Sequence, residues 1–139
     1  ILDIDNLKSI NDRFGHLAGD AILKAFGKIL TKSVRAIDVA SRYGGDEFCL
    51  IIPEADRDKA LLFMERFRVK IASEHAAGEG ISSDFKFSVS IGAAVYPEDA
   101  EEIDELINAA DMALLQAKEE GGNLSRMYQP DYRRPGYSR

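Results

Sequence analysis

Ser41-Arg42-Tyr43-Gly44-Gly45-Asp46-Glu47-Phe48-Cys49-Leu50-Ile51-Ile52-Pro53 is the stretch from which the rest of the chain can be read. Two apolar-rich runs, Val39 to Tyr43 and Phe48 to Ile52, flank the Gly44-Gly45 pair. That spacing predicts a two-residue β-hairpin whose central positions take φ > 0. Phe48 to Ile52 is apolar without interruption, which predicts a strand central to its sheet, and Pro53 ends it. Asp46 and Glu47 follow the turn at once, on opposite faces of a strand, and a hairpin has no folding need for either. With no side chain at Gly44 or Gly45, a ligand can approach the backbone amides, and a neighbouring carboxylate can hold a hard cation on that ligand. A Gly-Gly turn carrying two solvated acids is the plainer explanation of the same residues.

The chain has 139 residues, 45% hydrophobic and 30% charged, which predicts a single soluble domain with a real core. A net charge of −6 opposes binding to a nucleic-acid polymer, yet leaves room for an anionic ligand whose charge a metal carries. Cys49, the one cysteine, sits in an apolar run, which predicts a buried structural thiol and no internal disulfide. There is no run of about 18 apolar residues and no signal-peptide pattern. The expectation is a cytoplasmic segment without direct membrane contact, either free or as the cytoplasmic part of a membrane-anchored protein. Ile1-Leu2-Asp3 reads as the middle of a strand, and hence as part of a longer chain.

Ile1 to Asp5 alternates with period two, so Leu2 and Ile4 share one face and Asp3 and Asp5 the other. Like charges on one face repel, a cost that makes sense if Asp3 binds a cation and Asp5 supports it by hydrogen bonds. A charged edge strand is the alternative. Asn6 to Arg13 reads as a short polar turn or helix, followed by a loop through Gly15 and Gly19. A long helix is expected from near Asp20, burying Ile22, Phe26, Ile29, Leu30, Val34 and Ile37 and ending between Arg35 and Asp38. A second, from about Asp56 to Glu74, buries Ala60, Met64, Phe67 and Ile71 and carries Arg66, Arg68 and Lys70 on its polar face. Ala76 to Asp84 reads as a loop, and Phe85 to Val95 as one half-buried antiparallel strand. A third helix, from about Glu102 to Lys118, buries Ile103, Leu106, Ala110, Ala113, Leu114 and Ala117 and stops at Gly121-Gly122. Leu124 to Tyr128 adds a last strand. This order predicts an α+β, ferredoxin-like fold, with helices packed on a mostly antiparallel sheet. One domain is expected over 1–128, and 129–139 is expected to be a flexible tail.

In one-letter code Gly44 to Phe48 reads GGDEF, and the chain resembles the diguanylate cyclase family named after that motif. The likeness extends to Asp3-Ile4-Asp5-Asn6-Leu7-Lys8-Ser9-Ile10-Asn11-Asp12, then Phe14-Gly15-His16 and Gly19-Asp20, and later Ala110-Asp111-Met112-Ala113-Leu114 and Ala117-Lys118. It runs from Ile1 to about Met127. The resemblance implies a palm-type nucleotidyl cyclase fold that condenses two GTP into cyclic di-GMP and pyrophosphate. Each GTP would be held by one subunit of an antiparallel homodimer, and a covalently linked sensor domain would lie outside this chain. By position, the resemblance implies Mg²⁺ (or Mn²⁺) on Asp3, the Ile4 carbonyl and Asp46, with Glu47 assisting. Asp46 would accept the 3′-hydroxyl proton, and Lys8 would stabilise the transition state. Lys118 and the amides of Asn6, Leu7 and Lys8 would hold the triphosphate, with Gly44 and Gly45 beside the substrate and Asn11 and Asp20 on guanine. Read without the resemblance, Asp20 is a helix N-cap, Asn11 a turn residue, each lysine a solvated charge and His16 a structural loop residue.

Arg35-Ala36-Ile37-Asp38 matches the RxxD that lies five residues before the motif where a product-inhibition site is present. Arg66 would be its second contact, from the partner subunit, and a helix-terminal ion pair is the alternative. Three departures from the family pattern stand out: Gly121-Gly122-Asn123 replaces the common Gly-Arg-Asn and removes an arginine from the phosphates, Leu7 replaces a phenylalanine, and the family's N-terminal helices and the start of its first strand would precede Ile1, so the domain over 1–128 is expected to be N-terminally truncated. A non-catalytic module binding GTP or cyclic di-GMP, and a cyclase for another nucleotide, are the competing functions.

Overall fold

The first strand, β1 (Leu2–Ile4), is only three residues long and buried throughout, because strands bond to it on both sides. The structure, a computed structural model, describes residues 1–131. After β1 come α1 (Leu7–Phe14), α2 (His16–Ser33), β2 (Val39–Arg42), β3 (Glu47–Ile51) and α3 (Arg57–Ser73). Then follow β4 (His75–Gly78), β5 (Ile81–Lys86), β6 (Val89–Ala93), α4 (Ile103–Glu119) and β7 (Ser125–Met127). The main sheet has the order β2-β3-β1-β6-β7, antiparallel except for the β6–β7 pair, and β4–β5 is a separate hairpin. This is the expected α+β, ferredoxin-like architecture.

Register assigns the two faces. Leu2 pairs with Phe48 and Ile91, and all three enter the core beneath α2 and α3. Phe26 of α2 is its hub, with ring centroids 4.5 Å from Phe48 and 5.7 Å from Phe67 of α3. Asp3 pairs with Ser90 and so faces the other way, the side taken by α4. There Gly92 lets α4 come close: an added Cβ would lie 2.1 Å from the Leu114 N and 2.3 Å from the Ala110 O. Gly121 and Gly122 take positive φ, and their N–H groups donate to the Lys118 and Ala117 carbonyls, closing α4 just past Lys118.

Several expectations need correction. The turn after β2 is a three-residue connection, Gly44 to Asp46: Arg42 pairs with Phe48, and the Tyr43 N–H donates to the Glu47 O at 2.8 Å. The connection is one residue longer than a two-residue turn, and neither Gly44 nor Gly45 is left-handed. β3 is interior, but β1 holds the centre. The long helix α2 begins at His16 after Gly15 (φ 87), so Asp20 is not its N-cap and His16 is not a loop residue. Gly19 lies within that helix, and the position holds glycine because Asn11 packs where a Cβ would be. α2 ends at Ser33, since Val34 is already extended, and Ile37 lies outside the helix and is exposed. The 76–84 region is mostly the β4–β5 hairpin rather than a loop, and Phe85–Val95 is split between two sheets at Phe87-Ser88. β6 is buried on both faces, since α4 covers the second. Ile103 is 75% exposed at the start of α4, and Cys49 is half-buried. Of the tail, 132–139 lie outside the described residues.

Candidate functional site

At the C-terminal end of β1 the backbone is tied to both neighbours. The Ile4 N–H donates to the Asp46 O at 3.1 Å and the Asp5 N–H to the Ser88 O at 3.0 Å, so the Gly-Gly hairpin and β6 converge there. Asp5 accepts from Ser88 Oγ and Ser90 Oγ, both at 2.6 Å, and from the Asn123 N–H at 2.9 Å. Those three bonds lock the strand end to β6 and to the loop after α4. Asn6 then turns the chain with φ 59 into α1. The first N–H of that region to find a helical acceptor is that of Ile10, on the Asn6 O at 3.0 Å. The amides of the first turn are therefore available to an anion, with Lys8 exposed beside them and no acid in that turn.

Asp3 is 4% exposed, and its Oδ2 is 2.7 Å from Lys118 Nζ. Burial pushes its carboxyl up to about 6; Lys118 resists the rise, and the nearby charges of Asp46 and Glu47 add to it. A carboxylate kept buried at such cost, facing two more, is a place prepared for positive charge. A cleft of about 420 Å³ brings together Asp3, Ile4, Asp46, Asn6, Leu7, Lys8 and Lys118, with Gly122 on its rim. Among the described residues no three of His, Cys, Asp or Glu close around one point. The donors on offer are thus two carboxylates and a carbonyl, a set that leaves room for waters and phosphate oxygens, as Mg²⁺ prefers.

Other predicted residues stand elsewhere. Asn11 and Asp20 do not line this cleft. Asn11 presses its Oδ1 against Gly19 and leaves that buried oxygen without a partner among the described residues, while Asp20 is exposed on a larger groove of about 620 Å³ beside Lys24 and Lys28. Gly44 and Gly45 adjoin the cleft without lining it, and a Cβ on Gly45 would meet nothing within 4 Å. Arg35 and Asp38 do pair: the Arg35 N–H and Nη2 reach Asp38 at 2.7 and 3.1 Å, and Nη2 also reaches the Pro53 O at 3.2 Å. Burial pushes the Asp38 carboxyl up, but Arg35 outweighs it and holds Asp38 below its ordinary value. The pair closes a turn beyond α2 rather than capping the helix, and Arg35 stays exposed. Arg66 lines a separate groove with Lys59, Phe63 and Lys70.

Sequence reasoning missed Arg42. Its Nε lies 3.1 Å from both the Gly44 O and the Gly45 O, and its Nη2 2.6 Å from the Gly45 O, so the planar guanidinium fixes the peptide planes that precede Asp46. No spacing rule announces such a clamp. Ser88 and Ser90 were legible only as the outward positions of an alternating strand.

The sequence model of the family described as diguanylate cyclase, GGDEF domain, matches residues 1–124. The chain belongs to the GGDEF domain family of diguanylate cyclases. This GGDEF domain is 40% identical over 123 residues to diguanylate cyclase DgcM of Escherichia coli, covering 88% of the chain and 28% of DgcM. It is 38% identical over 122 residues to the uncharacterized YhcK of Bacillus subtilis, covering 88% of the chain and 34% of YhcK. It therefore spans about a third or less of those relatives. Among solved structures, the GGDEF domain of TpbB (YfiN) from Pseudomonas aeruginosa superposes with TM-score 0.85 at 33% identity, covering 92% of this chain and 74% of that one. The GGDEF domain of DgcB from Caulobacter crescentus, in complex with c-di-GMP, gives 0.81 at 28%, covering 91% and 74%.

Proposed function

We propose that this GGDEF domain is the catalytic module of a diguanylate cyclase, converting two GTP to cyclic di-GMP and pyrophosphate as a homodimer with one GTP per subunit. The observation that carries this is Asp3: a nearly buried carboxylate facing the hairpin acids, across a cleft from the open amides of α1. Mg²⁺ or Mn²⁺ would be held by Asp3, the Ile4 carbonyl and Asp46, and when bound supplies charge neutralisation at the phosphate under attack.

The chain's own residues do the rest. The amides of Asn6, Leu7 and Lys8 and the ammonium groups of Lys8 and Lys118 hold the triphosphate, with Lys8 meeting the charge that grows at the α-phosphorus. The 3′-oxygen of each GTP bonds to the α-phosphorus of the other, at each phosphorus the bond to the α–β bridging oxygen breaks, and two pyrophosphates leave. The hydroxyl proton passes to Asp46, with Glu47 as its neighbour in reach, and Arg42 keeps that carboxylate's loop in one conformation. Guanine would be read by the Asn11 amide, once its Oδ1 turns out of the buried contact with Gly19, and by Asp20, a carboxylate for N1–H and N2–H, which adenine lacks in that pattern.

Product inhibition would act through Arg35 and Asp38, with Arg66 reaching from the partner subunit. The exposed Arg35 guanidinium keeps donors free for guanine and phosphate. Residues 1–128 would be the working domain, in the cytoplasm, with a sensor elsewhere in a longer protein. The test is conversion of GTP with Mg²⁺ by wild type and by Asp46→Asn at concentrations that favour the dimer; an unchanged rate in the variant refutes the assignment. Gly122 favours a second reading, a non-catalytic module that binds GTP or cyclic di-GMP, because a cation expected at the phosphates is absent. Nucleotide binding without turnover would select it.

A further inference from the structure

Lys118 occupies the last turn of α4, and its ammonium is the one cation bonded to Asp3 among the described residues, at 2.7 Å. The carboxylate side chain is 6% exposed and the lysine 39% exposed, so the ammonium reaches from the solvent side over a buried charge. Lys8 lines the same cleft and bonds no carboxylate among the described residues. The two lysines are therefore not equivalent: one is free for a phosphate from the outset, and the other must first let go of Asp3.

We infer that Lys118 makes the site select a metal–nucleotide complex over the free metal ion, by standing in for the cation on Asp3 until a triphosphate arrives. The inference rests on the metal reading proposed above. A divalent ion entering alone meets a carboxylate already neutralised, and the displaced ammonium would stay beside it, two like charges in one cleft. A metal–triphosphate complex brings phosphate oxygens into the same cleft, and the ammonium exchanges one anion for another without losing a charge-assisted bond. Free metal is thus disfavoured by the same residue that favours loaded nucleotide. A lysine that merely neutralised a buried carboxylate would affect fold stability, but would not split the two affinities in opposite directions.

The experiment uses the full chain as wild type, Lys118→Met and Lys118→Arg. Mn²⁺ alone is titrated by electron paramagnetic resonance, and Mn²⁺ with a GTP analogue carrying a methylene between the α- and β-phosphorus by calorimetry, so no turnover intervenes. Lys118→Met is expected to bind Mn²⁺ alone about tenfold or more tighter than wild type, and the Mn²⁺–analogue complex about tenfold or more weaker. Lys118→Arg should stay near wild type in both. Weakened analogue binding with unchanged affinity for Mn²⁺ alone would reduce Lys118 to an ordinary phosphate ligand and overturn the exchange, while leaving the metal reading in place. If Asp3→Asn binds the Mn²⁺–analogue complex as tightly as wild type, the metal reading falls, and this inference with it. Should Lys118→Met melt below the assay temperature, Lys118→Gln carries the same expectations.

Discussion

Replacing Asp3 by Asn should stabilise the ligand-free domain at alkaline pH. The folded carboxyl is raised from an ordinary 3.8 to about 6, a difference of about 2 pKa units. At about 1.4 kcal/mol per unit, the ionised group in the fold costs about 3 kcal/mol relative to its protonated form. The sign follows from proton binding. Between about pH 4 and 6 the folded state holds a proton that the unfolded state has lost, so wild-type stability falls as pH rises through that window and levels off above it. Asn cannot ionise, keeps nearly the same volume and retains an oxygen for Lys118, which loses its charge partner but is partly solvated. The net gain expected for Asp3→Asn is therefore about 1–3 kcal/mol at pH 8, shrinking toward zero by about pH 4. Urea unfolding of both proteins at pH 8, 6 and 4 measures it through the midpoints at constant slope. A variant less stable than wild type at pH 8 would mean that the Asp3–Lys118 pair stabilises the fold outright, and a gap that does not close on acidification would mean that ionisation of Asp3 is not its cause; either result would refute the reasoning.

Asp46→Asn should lower GTP turnover by about 10²-fold or more with little change in melting temperature, because Asp46 lies in a connection and not in the core; assays of cyclic di-GMP against a melting curve decide it. Arg42→Ala should cut turnover about tenfold while costing about 1 kcal/mol or less in unfolding, and Arg42→Lys should not restore the rate, since a freely rotating ammonium does not fix the Gly44 and Gly45 carbonyls as a planar guanidinium does. Gly92→Ala should cost about 3 kcal/mol or more, or prevent folding, because its Cβ would enter the α4 backbone; urea unfolding or soluble yield reports it. Arg35→Ala should relieve inhibition by added cyclic di-GMP while leaving initial rates near wild type, and equal inhibition of both proteins would remove the RxxD assignment.

The parts of the fold that could be read in the sequence are those where one period dominates. Met64, Phe67 and Ile71 mark the buried face of α3, and the Gly pair after Lys118 ends α4 where expected. Leu2 and Ile4 against Asp3 and Asp5 gave both the strand and the split between core and site, which register with Phe48 and Ser90 reproduces. The failures arose where tertiary contacts override local signals. Gly19 looks like a loop residue, but it lies inside α2, where Asn11 of α1 leaves no room for a side chain, and that contact pairs two elements the sequence does not show to be neighbours. Phe85 to Val95 alternates so cleanly that it reads as one strand, yet the chain changes sheets at Phe87-Ser88, and alternation survives such a jog. The same limit applies at the site. Asp3, Asp46 and Lys118 were nameable through resemblance, but that Lys118 bonds Asp3, and that Arg42 holds two carbonyls, depends on where α4 ends and on how a three-residue turn folds.

Gly122 ties these points together. It sits at φ 75, and a Cβ there would lie 3.2 Å from Asp5 Oδ1, so an arginine at this position would meet both backbone strain and a crowded carboxylate. The glycine lets the loop after α4 close over Asp5 and place the Asn123 N–H on its Oδ2, which completes the set of bonds that holds the end of β1. Order at the strand end is thus gained where a phosphate-facing cation is given up. The cleft is left with two lysines, one of them committed to Asp3 in the ligand-free state. With no third cation lining the cleft among the described residues, the release of Lys118 from Asp3 proposed above would carry more of a triphosphate's affinity than it would beside an arginine, so Lys118→Met should weaken analogue binding more here than in a domain that keeps the Gly-Arg-Asn.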